Sequence, residues 1–358
     1  MGRDGWNGGA VLAIESSCDE TACAVLAADG AILAETVLSQ QEHLPFGGVV
    51  PEIAARAHLA HLPGLLTRTL RDSGLDAAAL GAVAASAGPG LIGGLIVGST
   101  LGKGLALSLG IPFVAVNHLE AHALTARLPG LVPGLVPGLV PGGAPFPYLL
   151  LLVSGGHCQC VAVEALGRYR RLGGTIDDAA GEAFDKVAKM LGLGWPGGPA
   201  LERLAARGDP AAHRLPRPLA GRPGCDFSFS GLKTAVANRL AALPAPLSQQ
   251  DAADLAAGFQ HAVADILADR VGNALDAMPQ ARLLVAAGGV AANATIRSRL
   301  TGLADARGVA FVAPPLRLCT DNATMVAWAA LEHLRAGRYG DGLDARPRPR
   351  WPLDEIAA

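Results

Sequence analysis

Short apolar runs, each followed by a polar or glycine-rich segment, recur along the whole chain. Runs of this length between turn signals are typical of buried β-strands. The strands are predicted at residues 10–14, 22–26, 82–86, 114–117, 148–153, 158–163, 283–287 and 309–313. The strands at 10–14 and 22–26 form a hairpin with a polar mouth, as do those at 148–153 and 158–163, so both halves of the chain begin in the same way.

Apolar residues spaced three or four positions apart predict helices between these strands. The helices are predicted at residues 52–72, 95–109, 177–191 and 320–334. We expect Asp177 to cap the third helix and Thr320 or Asp321 to cap the fourth, because their side chains accept backbone hydrogen bonds. Alternating strands and helices are typical of α/β proteins with a largely parallel or mixed sheet in each half.

The pattern divides the chain into two lobes and three shorter segments. We expect a flexible leader at residues 1–9, an N-terminal lobe at 10–127, an insertion at 128–143, a C-terminal lobe at 144–340 and a tail at 341–358. The insertion repeats Pro-Gly-Leu-Val three times. Proline and glycine at this density prevent a helix or an interior strand, so a linker or a surface loop is predicted.

Composition narrows the class of protein. With 29 basic and 31 acidic residues the chain has no overall attraction for a polyanion, so any nucleic acid must bind a local patch. Six cysteines in a chain of 358 residues do not make a disulfide framework, and the first residues lack the apolar run of a secretory signal. A cytoplasmic location is therefore predicted.

One uncharged segment, residues 77–102, is long enough to span a bilayer. Pro89 and the glycines around it divide this segment into a strand, a loop and a helix. Lipid would leave the backbone of such a loop without hydrogen bonds. We therefore expect the segment to lie inside the N-terminal lobe, with no membrane contact.

Three glycine-rich turns follow predicted strands, at residues 87–90, 153–157 and 287–290. Glycine lets successive backbone amides point at one anion, so such turns can hold phosphate groups. Nucleotides bind at the strand ends of open α/β sheets. Each turn alone is also explained by ordinary turn chemistry, and the chain has neither a Walker nor a Rossmann fingerprint.

His118 and His122 lie four residues apart, so a helix would present both imidazoles on one face. This spacing can hold a metal ion, although a surface pair of histidines is an alternative. Asp321 is the best third ligand, and it could also be a helix cap. Two histidines and a carboxylate suit iron(II), zinc or a similar divalent ion, with positions left open for substrate.

Other carboxylates lie beside the polar turns. Asp185 precedes a glycine-rich loop and could bind the two ribose hydroxyls of a nucleotide, or it could be an exposed helical residue. Asp19 and Glu20, at the mouth of the first hairpin, could orient a metal ion, a water molecule or an amine. Solvated turn residues are the alternative for this pair.

Nine motifs of the chain match one known family in order. They are IESSCDET (14–21), GGVVPE (47–52), AGPGL (87–91), HLEAH (118–122), LVSGGH (152–157), IDDAAGEAFDK (176–186), DFSFSGLK (226–233), GGVAAN (288–293) and CTDN (319–322). Over residues 10–335 the chain resembles the universal tRNA threonylcarbamoyladenosine transferases, formerly called O-sialoglycoprotein endopeptidases. The resemblance implies a two-lobed actin-like ATPase fold, shared with sugar kinases, with a nucleotide cleft between the lobes.

The resemblance also implies roles for individual residues. The metal ligands of the family match His118, His122 and Asp321, and iron(II) is the expected ion, with zinc and magnesium as alternatives. The family's substrate contacts match Leu152, Val153, Ser154, Gly155 and Gly156 on the phosphate side, and Asp185, Gly198 and Asn293 on the side of the ribose and adenine.

The activity implied by the resemblance is an acyl transfer. The threonylcarbamoyl group of threonylcarbamoyl-AMP would pass to the exocyclic amine of the adenosine 3′ to the anticodon, in tRNAs that read codons starting with adenine. AMP would leave, and Asp19 or Glu20 could accept the proton. The implied partners are a paralogous subunit of the same fold, an accessory ATPase and a separate enzyme that makes the adenylate.

Three other functions are alternatives to this one. A small-molecule kinase of the same fold would need an aspartate base and no pair of histidines. A metalloprotease would need a glutamate directly after His118, where the chain has Leu119. A non-catalytic scaffold would not need the intact polar motifs. The block at residues 230–233 has no assigned role.

Overall fold

The computed structural model describes residues 5–130, 143–338 and 340–356. Most of the predicted insertion, residues 131–142, and residues 1–4 of the leader lie outside the described residues. The strands are β1 (Ala10–Glu15), β2 (Glu20–Leu26), β3 (Ile32–Ser39), β4 (Leu80–Gly88), β5 (Phe113–Asn117), β6 (Tyr148–Val153), β7 (Cys158–Ala165), β8 (Arg168–Gly174), β9 (Leu283–Ala287) and β10 (Ala310–Val312). The helices are α1 (Pro51–Ser73), α2 (Ile92–Leu109), α3 (His118–Leu124), α4 (Ala180–Met190), α5 (Gly197–Ala205), α6 (Ser230–Ala241), α7 (Gln249–Asp276), α8 (Ala294–Ala306) and α9 (Ala323–Arg335).

The two sheets repeat one arrangement of five strands. Their orders are β3-β2-β1-β4-β5 and β10-β9-β6-β7-β8. In the first sheet β1 pairs antiparallel with β2 and parallel with β4. In the second, β6 pairs antiparallel with β7 and parallel with β9. This repeat confirms the predicted two-lobed α/β fold with a mixed sheet in each lobe.

Helices cover both faces of each sheet. Every residue of β4 is buried, because α1 and α2 pack on one face of the first sheet and α9 packs on the other. The second sheet is covered by α4 and α7 on one face and by α3 on the other. Burial on both faces explains why the central strands are continuous apolar runs.

The last helix returns to the first lobe. α9 falls within the predicted C-terminal lobe, residues 144–340, but it packs against β1 and β2. Val326 and Leu331 share one apolar cluster with Val11 and Ala13. The first lobe is therefore completed by a segment from the far end of the chain, which differs from the predicted division along the sequence.

The tail connects the two lobes. The Arg348 N–H donates to the Ala87 carbonyl at 2.7 Å, and the Asn117 Nδ2 donates to the Trp351 carbonyl at 2.9 Å. Leu353 then lies buried in the apolar cluster of the second sheet. The tail thus runs from the ends of the first sheet onto the second lobe.

Two predicted helix caps are wrong. α4 has no side-chain cap, since Asp177 instead accepts hydrogen bonds from residues 228–230 at the start of α6. α9 is capped by Asn322, whose side chain accepts a backbone N–H of its first turn, and not by Thr320 or Asp321. The Asp321 carboxylate is therefore available for other contacts.

By length and composition, α2 is long and apolar enough to span a membrane. It follows β4 after a short loop, as predicted for the uncharged segment. It packs against α1 and β4 and buries Gly94, Leu95 and Gly98 in the first lobe. Its packing accounts for part of its apolar character, and Ile92, Ile96 and Leu107 remain exposed.

We expect Gly94→Ala to destabilise the fold by about 1–3 kcal/mol, the usual effect of overpacking. A Cβ at Gly94 would overlap the Ser16 carbonyl oxygen, whose residue is already tied to α2 by a hydrogen bond from Ser16 Oγ to the Gly94 carbonyl. Gly104→Ala is the matched control, because no atom lies within 4 Å of the added methyl. It should be neutral or stabilising by about 0.5–1 kcal/mol. Urea unfolding of both variants tests this, and equal losses would contradict the close approach.

Candidate functional site

The pair of histidines lies at the start of α3, directly after β5. Asn117 caps this helix, because its Oδ1 accepts the Leu119 N–H at 2.9 Å. The cap fixes the first turn, and the helical spacing then places His118 and His122 on one face. Both side chains are buried, with 6% and 1% exposure, and their ring centroids lie 4.8 Å apart.

Asp321, the residue suggested as the third metal ligand, lies against both imidazoles. Its Oδ1 lies 3.0 Å from the Nε2 of His122 and 3.4 Å from the Nε2 of His118. One donor atom from each of the three residues lies within 4.8 Å of the others. Ligands at about 2.0–2.2 Å from a single ion are separated by distances of this order. The three residues therefore fit a site for one divalent metal ion.

Electrostatics in this cluster favours a positive charge. Burial opposes protonation of His118, but Asp321 and Glu15 raise its pKa well above the usual value. Burial also opposes ionisation of Asp321, yet the two histidines hold the pKa of its carboxyl well below the usual range. The Nδ1 of His122 is buried without a hydrogen-bond partner among the described residues. A cation held by the two Nε2 atoms would take over the charge that protons otherwise supply.

Glu15 is a site residue that the sequence analysis did not single out. It is fully buried, and its Oε2 lies 3.0 Å from the Nδ1 of His118. Its Oε1 accepts the Ser17 N–H at 2.6 Å. A carboxylate behind a ligating histidine fixes the tautomer and the orientation of the ring. The only signal in the sequence was a charged residue ending an apolar strand.

The mouth of the first hairpin faces the same cluster. Burial raises the pKa of Glu20 well above its usual range, and the charges of Asp321 and Asp19 add to this effect. Burial, with Asp19 and Asp321 next, also raises the pKa of the Cys18 thiol. The structure thus brings the predicted pair, Asp19 and Glu20, into the acidic surroundings of Asp321.

The Ser-Gly-Gly turn follows β6 on the other lobe. Leu152 and Val153 are buried strand residues, so any contact with a ligand would be through their backbone. The Ser154 N–H is already bonded to the His157 carbonyl at 2.7 Å, and the Ser154 carbonyl accepts the Gly181 N–H of α4. The amides that remain for an anion are those of two exposed residues, Gly155 and Gly156.

Asp185 and Gly198 come together at the start of α5. The Asp185 Oδ1 accepts the Gly197 N–H at 2.9 Å, and the Gly198 N–H also bonds to this carboxylate. Burial raises the pKa of Asp185 above its usual value, although these hydrogen bonds lower it and the charge of Asp19 raises it. Asp19 belongs to the other lobe, so the two carboxylates lie across the cleft from each other.

Asn293 has a structural role that the sequence analysis did not recognise. Its Oδ1 caps α8 by accepting the Ile296 N–H at 3.0 Å, and its Nδ2 donates to Gln260 Oε1 at 2.8 Å. It follows the glycine turn after β9, where Gly288 packs against the Val153 carbonyl. The turns at 153–157 and 287–290 are therefore neighbours in the second lobe.

The glycine turn at residues 87–90, the first of the three along the chain, packs against the C-terminal tail. The Gly90 N–H donates to the Pro349 carbonyl at 3.2 Å, and a Cβ at Gly88 would overlap the Arg348 carbonyl oxygen. The tail therefore occupies the place that a phosphate would need. For this turn the structure supports ordinary turn chemistry rather than phosphate binding.

Comparison with known proteins places the chain in a family. A family model described as tRNA N6-adenosine threonylcarbamoyltransferase matches residues 31–328. The chain belongs to this family. The tRNA N6-adenosine threonylcarbamoyltransferase of Granulibacter bethesdensis is 63% identical over 351 residues, which cover 97% of this chain and 94% of the relative. The enzyme of the same name from Paramagnetospirillum magneticum is 60% identical over 352 residues, which cover 97% of this chain and 98% of the relative.

Solved structures with the same fold are more distant. HypF of T. kodakarensis has a TM-score of 0.61 at 14% identity, covering 93% of this chain and 49% of that one. The (R)-2-hydroxyglutaryl-CoA dehydratase component A of Acidaminococcus fermentans has a TM-score of 0.52 at 15% identity, covering 92% and 98%. At these identities the likeness shows only the fold that this family shares with them.

His157 should make stability depend on pH. Burial, reinforced by the charges of His118 and His122, lowers its pKa to about 4 in the folded protein, whereas an unfolded histidine titrates near about 6.5. Between these values the unfolded chain binds a proton that the folded chain does not. The stability from neutral His157 is therefore present above about pH 6.5 and is lost as the pH falls towards 4.

We expect His157→Gln to show a shallower loss of unfolding free energy over this pH interval. Denaturant unfolding at several pH values in the presence of a chelator measures this slope. His261→Gln, a change of an exposed histidine on α7, is the control and should keep the wild-type slope. Equal slopes for wild type and His157→Gln would refute the prediction.

Proposed function

We propose that this protein transfers the threonylcarbamoyl group from threonylcarbamoyl-AMP to tRNA. The acceptor is the exocyclic amine of the adenosine 3′ to the anticodon, in tRNAs that read codons starting with adenine, and AMP is released. The observation that carries the proposal is the cluster of His118, His122 and Asp321 across the cleft from the Ser-Gly-Gly turn. Membership of the family supports the same reaction.

In this proposal the second lobe binds the adenylate. The open amides of Gly155 and Gly156 donate to the phosphate, as glycine turns do at anion sites. Asp185 and the Gly198 turn hold the ribose of the adenylate, where the second carboxylate oxygen of Asp185 can accept a hydrogen bond from a ribose hydroxyl. Asn293 lies on the adenine side, although its side chain already caps α8.

The proposed metal site is made by His118, His122 and Asp321. Two imidazoles and a carboxylate suit iron(II) or zinc, whereas magnesium prefers oxygen ligands. Iron(II) is the ion that the family resemblance favours. An ion held by these three residues would supply a Lewis acid to the reaction.

The chemistry needs no protein nucleophile. The adenine amine forms a bond to the carbamoyl carbon, the bond from that carbon to the phosphate oxygen breaks, and AMP leaves with the electron pair. The proton of the amine passes to a carboxylate at the hairpin mouth, Asp19 or Glu20. Because this amine is a weak nucleophile, positioning and stabilisation of the oxyanion provide most of the acceleration.

The alternatives fit the structure less well. A metalloprotease needs a glutamate that acts on water at the metal, but Glu120 points to the far side of α3. Its Oε1 accepts the Tyr169 hydroxyl at 2.6 Å, and its Oε2 lies 2.9 Å from His333 Nε2. A small-molecule kinase would share the fold but would not require the buried pair of histidines. A non-catalytic scaffold would not require the open glycine amides.

The partner proteins of the proposal need a docking surface. Leu59 on α1 and Ile92 and Ile96 on the adjacent α2 are exposed, with 67%, 46% and 49% exposure. Apolar side chains on neighbouring helices are typical of protein interfaces. We assign this face to the paralogous subunit of the same fold. The accessory ATPase, the separate enzyme that makes the adenylate and the cytoplasmic location stay predictions.

Activity tests the proposed function directly. Purified protein and its partner proteins are incubated with unmodified tRNA, threonine, bicarbonate and ATP, and the digested nucleosides are analysed by mass spectrometry. Wild type should form threonylcarbamoyladenosine, and its yield should fall when the same-fold subunit is omitted. The double variant His118→Ala, His122→Ala should form none, while the exposed-histidine control His261→Ala should match wild type. Absence of product with wild type, when a known relative is active beside it, would favour the kinase.

Metal affinity tests the role of Glu15. We expect Glu15→Gln to weaken binding of iron(II) or zinc about 10–100-fold. The neutral amide would no longer fix the orientation of the His118 ring or raise the basicity of its ligating nitrogen, as the carboxylate does. Equilibrium dialysis with elemental analysis measures the affinity without any assay of activity. The control is Glu120→Gln, a change of a buried carboxylate on the other face of the same helix, which should keep wild-type affinity. Equal effects of the two variants would argue against a specific role for Glu15.

A further inference from the structure

The segment between β3 and α1 joins the two sides of the candidate site. At its start the Gln40 N–H donates to the Asp19 carbonyl at 3.1 Å, beside the hairpin mouth. Further along, a Cβ at Gly47 would lie 3.8 Å from Lys189 Nζ on α4 of the other lobe. α4 also carries Asp185. This segment, residues 40–50, is called the entrance loop below.

The base of the entrance loop is held by buried polar contacts. His43 is fully buried, and its Nδ1 accepts the Val50 N–H at 3.2 Å. The Nε2 of the same ring therefore carries the hydrogen and donates to Gln40 Oε1 at 2.9 Å. Gln40 in turn donates to Thr21 Oγ1 at 3.1 Å. These bonds connect the two ends of the loop to each other and to β2, so its tip is presented in a fixed position.

The tip of the entrance loop presents apolar side chains to solvent. Phe46 is 59% exposed and Leu44 is 46% exposed, in a short 3₁₀ turn that ends at Gly47. Met190, next to Lys189 at the end of α4, is 39% exposed. An ordered loop that holds an aromatic ring in water is typical of a binding surface rather than of a solvated linker.

Lys189 supplies a positive charge at this place. The chain has four lysines. Lys103 donates to a backbone carbonyl, and Lys186 and Lys233 pair with Asp178. Among the residues that the structure describes, Lys189 alone of the four has neither an ion pair nor a hydrogen bond. Its charge is therefore available to a ligand.

We infer that Phe46 and Lys189 bind the single-stranded RNA next to the target adenosine. An exposed aromatic ring for base stacking and a cation for the phosphate are the two elements of single-strand recognition. Phe46 lies on the loop that starts beside the carboxylates of the hairpin mouth, and Lys189 lies on the helix that carries Asp185. The chain as a whole has no excess of positive charge, so its RNA contacts must be local patches of this kind. The inference rests on the proposed function, which makes tRNA the acceptor.

Binding of unmodified tRNA tests this inference. Phe46→Ala should weaken the affinity for labelled tRNA that reads codons starting with adenine about 5–150-fold, because one stacked base is lost. Phe46→Tyr keeps the ring and should retain wild-type affinity. Lys189→Gln should make the slope of log K against log salt shallower by about 0.7, the amount expected when one phosphate contact with a single strand is lost. Leu107→Ala, which removes a side chain with 67% exposure on α2, is the matched control and should have no effect.

Two further measurements separate the explanations. Affinity for AMP should be unchanged in every variant, because none of the changed residues is among the proposed adenylate contacts. If wild type modifies tRNA but Phe46→Ala binds tRNA as wild type does, the inference is wrong and the function stands. If Phe46→Ala instead loses only a partner protein in pull-down, the loop is a protein interface and the inference is also wrong. If wild type neither binds nor modifies tRNA, the proposed function fails, and the inference fails with it.

Discussion

The contact of Asp321 with the imidazoles of His118 and His122 is the interaction on which the candidate site depends. Asp321 and His122 are 199 positions apart in the sequence, and they meet because α3 packs against α9, the helix that begins just after Asp321. A carboxylate that is mostly shielded from water needs a charged partner, and two imidazoles provide it. Glu15 also contacts the Nδ1 of His118, so side chains of the protein itself hold the proposed metal ligands in place.

The repeated sheet explains why the polar segments oppose each other. In each lobe the hairpin that opens the sheet turns at the cleft, so the mouth carrying Asp19 and Glu20 faces the one carrying Gly155 and Gly156. The first mouth is acidic and lies beside the proposed metal ligands. The second presents free amides that suit a phosphate. One duplicated architecture thus places the proposed metal ligands and the open glycine amides at the same cleft.

Eight of the ten described strands and the pair of histidines could be predicted from local pattern, because short apolar runs and a four-residue spacing are visible within short windows. The two strands that were missed, β3 and β8, lie at sheet edges, where exposed residues interrupt the apolar run. Helices α5 to α8 were not predicted either. The sequence could suggest Asp321 as the third metal ligand but could not show that it meets the histidines, since they are distant along the chain. Glu15 was missed because burial of a charged side chain has no local signature, and the Asp177 cap failed because the loop before α6 competes for that carboxylate. The structural roles of Asn293 and of the tail depend on tertiary contacts that no spacing predicts.

The return of α9 to the first sheet affects how the chain can fold during synthesis. Residues that build the first sheet leave the ribosome early, but one apolar face of that sheet is covered only when residues 323–335 have been made. Exposed apolar surface on a partly made lobe favours aggregation. The nascent chain would therefore benefit from a chaperone on that face, and the first half of the chain should not yield a stable domain by itself.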